Sequence, residues 1–350
     1  MPGIALLSAF AALAAYLYTA APLDGDGAAY TLQGLRGGPF ERAVHVGVLV
    51  PLWLWVRAFG AGAANGFGLV AAAGTLLGVE RLGRALAPEV GPWGRLLAPA
   101  VLLGAAATWQ AALFVEVYGP LAAVTVWAVV ALRAGRPKTA GLLFGWTVLI
   151  HPGALALAPG LWLLGGRRLD RRTLIAAALL LLLVWAALWP APWTGPRGLA
   201  ALPDFDLSPW QSVQRAWRLV ARDLGITALP LVLGAVAAWP AERRWLLGIL
   251  AVVAGSALAI DRYGDNAGQL PALVLVCALA PLSLRWRPAV VQRPAMVAAL
   301  IALCVLGVAE ATSKHDRLRR DADRSFDAQA ERCGEPADDW ALQMRRDLAC

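Results

Sequence analysis

The chain has 350 residues, 59% of them hydrophobic and only 15% charged, with a mean hydropathy of +0.61. That balance excludes an ordinary soluble domain, which at this length needs far more polar surface. The net charge of +8 does not mark a nucleic-acid binder, because the bases sit in the gaps between apolar runs, where they orient membrane proteins.

In chain order, the apolar runs predict eleven spanning helices at about residues 3–21, 65–86, 96–113, 120–132, 139–150, 153–164, 173–189, 226–239, 245–260, 270–284 and 295–308. The first reads as a retained helix and not a cleaved signal peptide, since Met1-Pro2-Gly3 carries no positive side chain. A further run, 45–59, contains Pro51 and Arg57 and is shorter than the roughly 20 residues a span needs. Charge decides whether it crosses. With 45–59 lying flat, one side collects Arg81, Arg84, Arg95, Arg133, Arg136, Lys138, Arg167, Arg168, Arg171, Arg172, Arg243, Arg244, Arg285, Arg287 and Arg293. The other side, tail excluded, holds Arg36, Arg42, Arg57, Arg197, Arg215, Arg218, Arg222 and Arg262. The richer side is then cytoplasmic; a crossing at 45–59 would put that whole set outside.

The expected fold is therefore all-α: a polytopic domain at 1–310 in the cell (inner) membrane, N-terminus cytoplasmic and C-terminus extracytoplasmic. Outer loops at 22–64 and 190–225 carry juxtamembrane helices, and 311–350 forms a short polar tail outside. Cys333 and Cys350 in that tail face an oxidising compartment and are expected to pair. Cys277 and Cys304, inside apolar runs, read as packing residues.

Chemistry-bearing residues gather in the outer loops. Asp24-Gly25-Asp26-Gly27 places two carboxylates after the first helix. On spacing alone it reads as a polar turn, yet an acid held there can take a proton from an incoming nucleophile. Glu116 lies near the outer end of a span, where an acid either pairs with a base or is functional, since acids inside membranes are expensive. His151 is either a satisfied helix-end residue or a ligand contact. Arg262 either neutralises Asp261 or faces a lipid phosphate. Ser208-Pro209 starts a helix whose Trp210, Val213, Trp217, Val220 and Leu224 recur at helical spacing, with Arg215, Arg218 and Arg222 elsewhere around it. That pattern is an interfacial amphipathic helix.

Several blocks resemble a known family. Gly25-Asp26-Gly27 and His45…Pro51-Leu52 stand where an Asp-bearing loop and a His-initiated surface helix are found in the C superfamily of glycosyltransferases. Thr108-Trp109-Gln110-Ala111-Ala112-Leu113-Phe114-Val115-Glu116-Val117-Tyr118 is similar to the Phe-Trp-x-x-Ala-x-x-Ala-Glu-Val-Tyr signature of its bacterial branch related to transmembrane O-mannosyltransferases. Residues 142–164, with His151-Pro152-Gly153, resemble that branch's Gly-Leu-x-x-Gly-x-His-x…Pro-Gly stretch. Asp261-Arg262-Tyr263 before Leu270-Pro271-Ala272-Leu273 resembles the Arg-Tyr…Leu-Pro-Ala pattern of lipid-dependent sugar transferases. The family's Glu in the first loop and its His-Pro-Pro run are missing here.

The resemblance implies an inverting membrane glycosyltransferase that takes its sugar from a polyprenyl-phosphate donor and passes it to an acceptor hydroxyl on a protein, glycan or lipid. Asp26, or Asp24, is then the general base. His45, Glu116, Tyr118, His151, Arg262 and Tyr263 bind donor or acceptor. Asp-x-Asp can hold a divalent cation through oxygen ligands, but the resemblance implies no obligatory metal or other cofactor. The chain is shorter than many such transferases, so a protein partner can supply acceptor recognition. The rival reading is a non-catalytic membrane protein, either a transporter or an assembly partner of a glycan pathway. A transporter favours paired ionisable groups at mid-membrane and broken helices; here the ionisable groups gather at helix ends.

Overall fold

The computed structural model describes residues 2–18, 30–33, 35, 45–165, 171–187, 208, 210–212, 214, 224, 228–239, 242–260 and 266–285. In the tail it describes 309, 313, 320, 323–325, 327–335, 343, 346 and 347. Among the described residues there are helices and no strands. The helices are α1 (Pro2–Leu17), α2 (Val46–Phe59), α3 (Ala64–Leu86), α4 (Pro92–Arg95), α5 (Leu97–Leu103), α6 (Ala106–Leu113), α7 (Tyr118–Arg133) and α8 (Pro137–Ile150). They continue as α9 (Ala158–Gly165), α10 (Arg171–Ala187), α11 (Ala228–Ala238), α12 (Arg243–Ala259) and α13 (Leu270–Cys277). Tight 3₁₀ turns at Ala61–Ala63, Pro152–Leu157, Asn266–Gln269 and Ala280–Leu284 join or end them.

The all-α class is as expected, but the lengths differ. Among the described residues one helix, Ala61–Leu86, is long and apolar enough to cross a membrane. A second qualifies only if Pro92–Leu103 and Ala107–Leu113, bent by 76°, are taken as one broken span. The run at 96–113 breaks at Gly104-Ala105, and the break is chemically completed. Thr108 Oγ1 donates to Leu102 O (2.6 Å), which also accepts from Ala105 N, and Trp109 Nε1 donates to Leu103 O (2.8 Å), a carbonyl that the end of α5 leaves over. The run at 153–164 is likewise split, because Pro152 opens a 3₁₀ turn before α9. The expected span at 295–308 lies outside the described residues.

Glycines set how closely the helices approach. On α8, Gly141 and Gly145 face the backbone of α10: a methyl group on Gly141 would lie 2.2 Å from Thr173 O, and one on Gly145 would lie 3.0 Å from Ala177 O. Two glycines four residues apart leave a bare groove, the small-xxx-small packing of apolar helices. Because 141 meets 173 and 145 meets 177, α8 and α10 run parallel. Beyond Arg171 and Arg172 at its start, α10 carries an open apolar surface, with Leu174, Leu179, Leu182 and Leu183 exposed. Between α7 and α8 the chain reverses through a Schellman motif. Gly135, at φ +72°, donates to Leu132 O, Arg136 N donates to Ala131 O, and Pro137 opens the next helix.

These pairings give the bundle two chemically distinct ends. α3 and α7 run side by side in the same direction, Gly74 meeting Ala123, Gly78 meeting Val126 and Arg133 reaching Ala85 O (3.5 Å). At one end Arg133 reaches Glu242 (3.7 Å) and stacks 4.9 Å from the Trp245 ring, while Arg285 pairs with Glu89 (2.6 Å). Arg81, Arg84, Arg136, Lys138, Arg171, Arg172, Arg243 and Arg244 occupy helix termini at that same end. The other end carries the start of α3, the α6–α7 break and the α8–α9 junction. α2 has both of its own ends there. Gly47 packs on Ile150, and Phe59 leads through Ala61–Ala63 directly into α3. It therefore lies across the bundle, burying Leu49, Leu52 and Val56 and exposing Leu54 and Phe59.

In the tail, Arg346 is buried and clamps Gln329 Oε1 through Nε (3.0 Å) and a terminal guanidinium nitrogen (2.9 Å), and it also donates to Glu335 O. Cys333 is disulfide-bonded. Cys350, its expected partner, and Cys304 lie outside the described residues, and Cys277 is a buried thiol.

Candidate functional site

The end of the bundle opposite the bases collects a row of four rings. Tyr30 stands edge-on to His45 (centroids 6.0 Å apart), His45 lies 5.5 Å from His151, and His151 lies 6.3 Å from Tyr118. Each comes from a different part of the chain, and the helix ends explain why they meet. α8 stops at Ile150, leaving that carbonyl without an intrahelical donor. His45, which precedes α2, does not cap its own helix. Its Nδ1 instead lies 2.7 Å from Ile150 O. A methyl group on Gly47 would come within 2.6 Å of the Ile150 nitrogen, and Trp146 Nε1 donates to Gly47 O (3.1 Å). Residue 47 has to be glycine for α2 to seat there.

His151 is the N-cap of the Pro152–Leu157 turn, and its Nδ1 accepts from Gly153 N–H at 3.0 Å. The two partners assign the protons. A carbonyl only accepts, so His45 carries its proton on Nδ1; a backbone N–H only donates, so Nδ1 of His151 carries a lone pair. Burial, and then the neighbouring His45 charge, lower the His151 pKa to about 3, so the ring is neutral at ordinary pH.

Glu116 sits in the non-helical stretch between α6 and α7, 7% exposed, two residues before Tyr118 at 8%. Gly68 of α3 makes room for this break, since a methyl group there would meet the carbonyl oxygens of Ala112 and Phe114 at 2.8 Å. Asn65, one turn earlier on α3, is buried at the same end, as is Gln269 in a turn that packs on α6 and α7. Ser256 Oγ anchors that turn through Gly268 O (2.8 Å).

Of the expected site residues, the structure brings His45, His151 and Tyr118 together and places Glu116 beside Tyr118 in sequence. Asp24, Asp26, Arg262 and Tyr263 lie outside the described residues. Sequence reading missed Tyr30, Asn65 and Gln269; an asparagine in the apolar run at 65–86 was the available signal for one of them. Within the block similar to the family signature, Thr108 and Trp109 hold the bend. On the later outer segment, Ser208 caps as expected, and Gln211 completes a reciprocal capping box. Gln211 N donates to Ser208 Oγ (3.3 Å), and Ser208 N donates to Gln211 Oε1 (2.8 Å). Trp210 beside it is exposed, and Arg215, Arg218 and Arg222 lie outside the described residues. Among the described residues no three His, Cys, Asp or Glu side chains converge as a metal site. No known protein family, curated protein or solved structure matches this chain.

Proposed function

We propose that this chain is a polytopic protein of the cell membrane, of about eleven spans, that transfers a sugar from a polyprenyl-phosphate donor to an acceptor hydroxyl at the outer membrane face. The observation that carries the reading is a convergence. His45, the block ending in Tyr118, and His151 were singled out separately along the sequence, and their rings now stand in one row. The described bases at the opposite end suit a cytoplasmic face. The exposed leucines of α10, whose 17 residues reach about 25 Å, suit contact with lipid.

In this reaction Asp26, or Asp24, accepts the proton of the acceptor hydroxyl as its oxygen attacks the anomeric carbon. The bond from that carbon to the phosphate oxygen breaks, and the lipid phosphate departs with the bonding electrons. A single displacement inverts the configuration. Arg262 holds the phosphate by charge-assisted hydrogen bonds.

The test uses purified protein in lipid, with a polyprenyl-phosphate sugar. Asp26→Asn lowers turnover by about 10²–10⁴-fold, the usual worth of a general base, and leaves donor binding intact. Arg262→Ala weakens donor binding first, and Asp24→Asn in parallel shows which carboxylate has the role. Wild-type turnover in both Asp variants removes the loop from the chemistry. The rival reading, a transporter or non-catalytic assembly partner, draws on the 76° break between α5 and α6, since discontinuous helices are a transporter device. It is favoured if wild type binds no lipid-linked sugar.

A further inference from the structure

Three hydrogen-bonding groups meet at the α8–α9 junction, and together they leave one donor over. His45 Nδ1–H is committed to Ile150 O, and the His151 Nδ1 lone pair to Gly153 N–H. Gly153 is held in turn, because a methyl group there would lie 2.5 Å from Ala259 O on α12. The His151 ring is thus fixed from below by the turn it caps and flanked by His45 and Tyr118. In its neutral form the one ring proton must be on Nε2. That N–H makes no hydrogen bond to any described residue. Nε2 is not sealed from solvent, so its N–H is open to an acceptor from outside the protein.

We infer that His151 binds substrate through Nε2–H, as a fixed neutral donor to an oxygen of the lipid-linked sugar phosphate. This rests on the transferase reading. The contact is one of position, not proton transfer. With Nδ1 occupied by Gly153, the ring has no second nitrogen through which to relay a proton, and its depressed pKa keeps it from acting as a cation. The accepting oxygen belongs either to the phosphate or to a sugar hydroxyl, and two ligands separate these.

Two substitutions divide the roles of the two nitrogens. His151→Asn puts an amide oxygen near the Nδ1 position, where it still accepts from Gly153 N–H and caps the turn, but it has nothing at Nε2. His151→Gln reaches the Nε2 position with an amide N–H. Dissociation constants are measured for full-length protein in nanodiscs, with a polyprenyl phosphate and with a polyprenyl-phosphate hexose. His151→Asn is expected to fold like wild type and to bind the hexose lipid about 3- to 30-fold more weakly, the worth of one hydrogen bond to a neutral or charged oxygen. His151→Gln recovers part of that loss. A phosphate contact weakens both lipids alike; a sugar contact weakens only the hexose lipid. Wild-type affinity of His151→Asn for both lipids would reduce His151 to a cap and overturn the inference. Nitrogen NMR of histidine-labelled protein, with the His151 signals identified as those that His151→Asn loses among the three histidines, supplies a second arm. It should show Nε2–H on a His151 ring that stays neutral at pH 5, and a His151 ring titrating near 6.5 overturns the inference. If wild type shows that tautomer but binds neither lipid, the transferase reading fails and the ligand assignment falls with it.

Discussion

At the scale of single residues, His151 makes stability depend on pH in a way that can be signed. Its folded pKa is lowered from 6.5 to about 3 by burial and then by His45. Below 6.5 the unfolded chain takes up a proton that the folded ring refuses, so the unfolded state gains and stability falls as pH drops. Above 6.5 the group contributes no slope. Each pH unit between 6.5 and about 3 costs at most about 1.4 kcal/mol, or about 2 kcal/mol by pH 5. Denaturation of wild type and His151→Asn at pH 7.5 and pH 5 checks this. Wild type should lose more stability on acidification than the variant, and equal losses would sink the argument.

At the scale of elements, what was legible followed from local chemistry. The α7–α8 reversal was written in Gly135 and Pro137, which end one helix and start the next. The bend between α5 and α6 was not legible, because Gly104 and Thr108 in 96–113 look no different in sequence from Gly74 and Thr75 in α3, which stays unbroken. Only the contacts of Thr108 and Trp109 with the two preceding carbonyls show that a break there is stable. The row of rings was half legible. Motif resemblance selected His45, Tyr118 and His151, but their contact depends on Ile150 being the last residue of α8 and on Gly47 being bare. The α8–α10 interface gives the element-scale prediction. Gly141→Leu forces a side chain into Thr173 O, and overpacking of this kind costs about 1–3 kcal/mol or separates the helices. Thermal unfolding in detergent should fall accordingly, whereas Leu142→Ala on the exposed neighbour should change little.

At the scale of the whole molecule, the separation of the bases from the rings is the feature that topology must respect. Leu54 on α2 and Gly135 in the α7–α8 turn are at opposite ends of the bundle. With native cysteines replaced, single cysteines at these two positions should label from opposite sides of a sealed membrane vesicle, position 54 from outside and position 135 from the cytoplasmic side. Labelling of both from one side would refute the arrangement of spans. The tail is held together separately, with Arg346 bridging Gln329 and Glu335 around the disulfide-bonded Cys333.

The anchorage of His45 on Ile150 also has a consequence for biosynthesis. The two residues are 105 apart in the chain. At about 5–20 residues per second, a ribosome takes roughly 5–20 s to cover that interval. Throughout it α2 exists without its seat: the carbonyl that receives His45 and the backbone on which Gly47 rests have not been made. A nascent chain stalled before α8 therefore owns every ring but one and has no assembled site. Assembly of the row of rings is timed by the emergence of a single helix end.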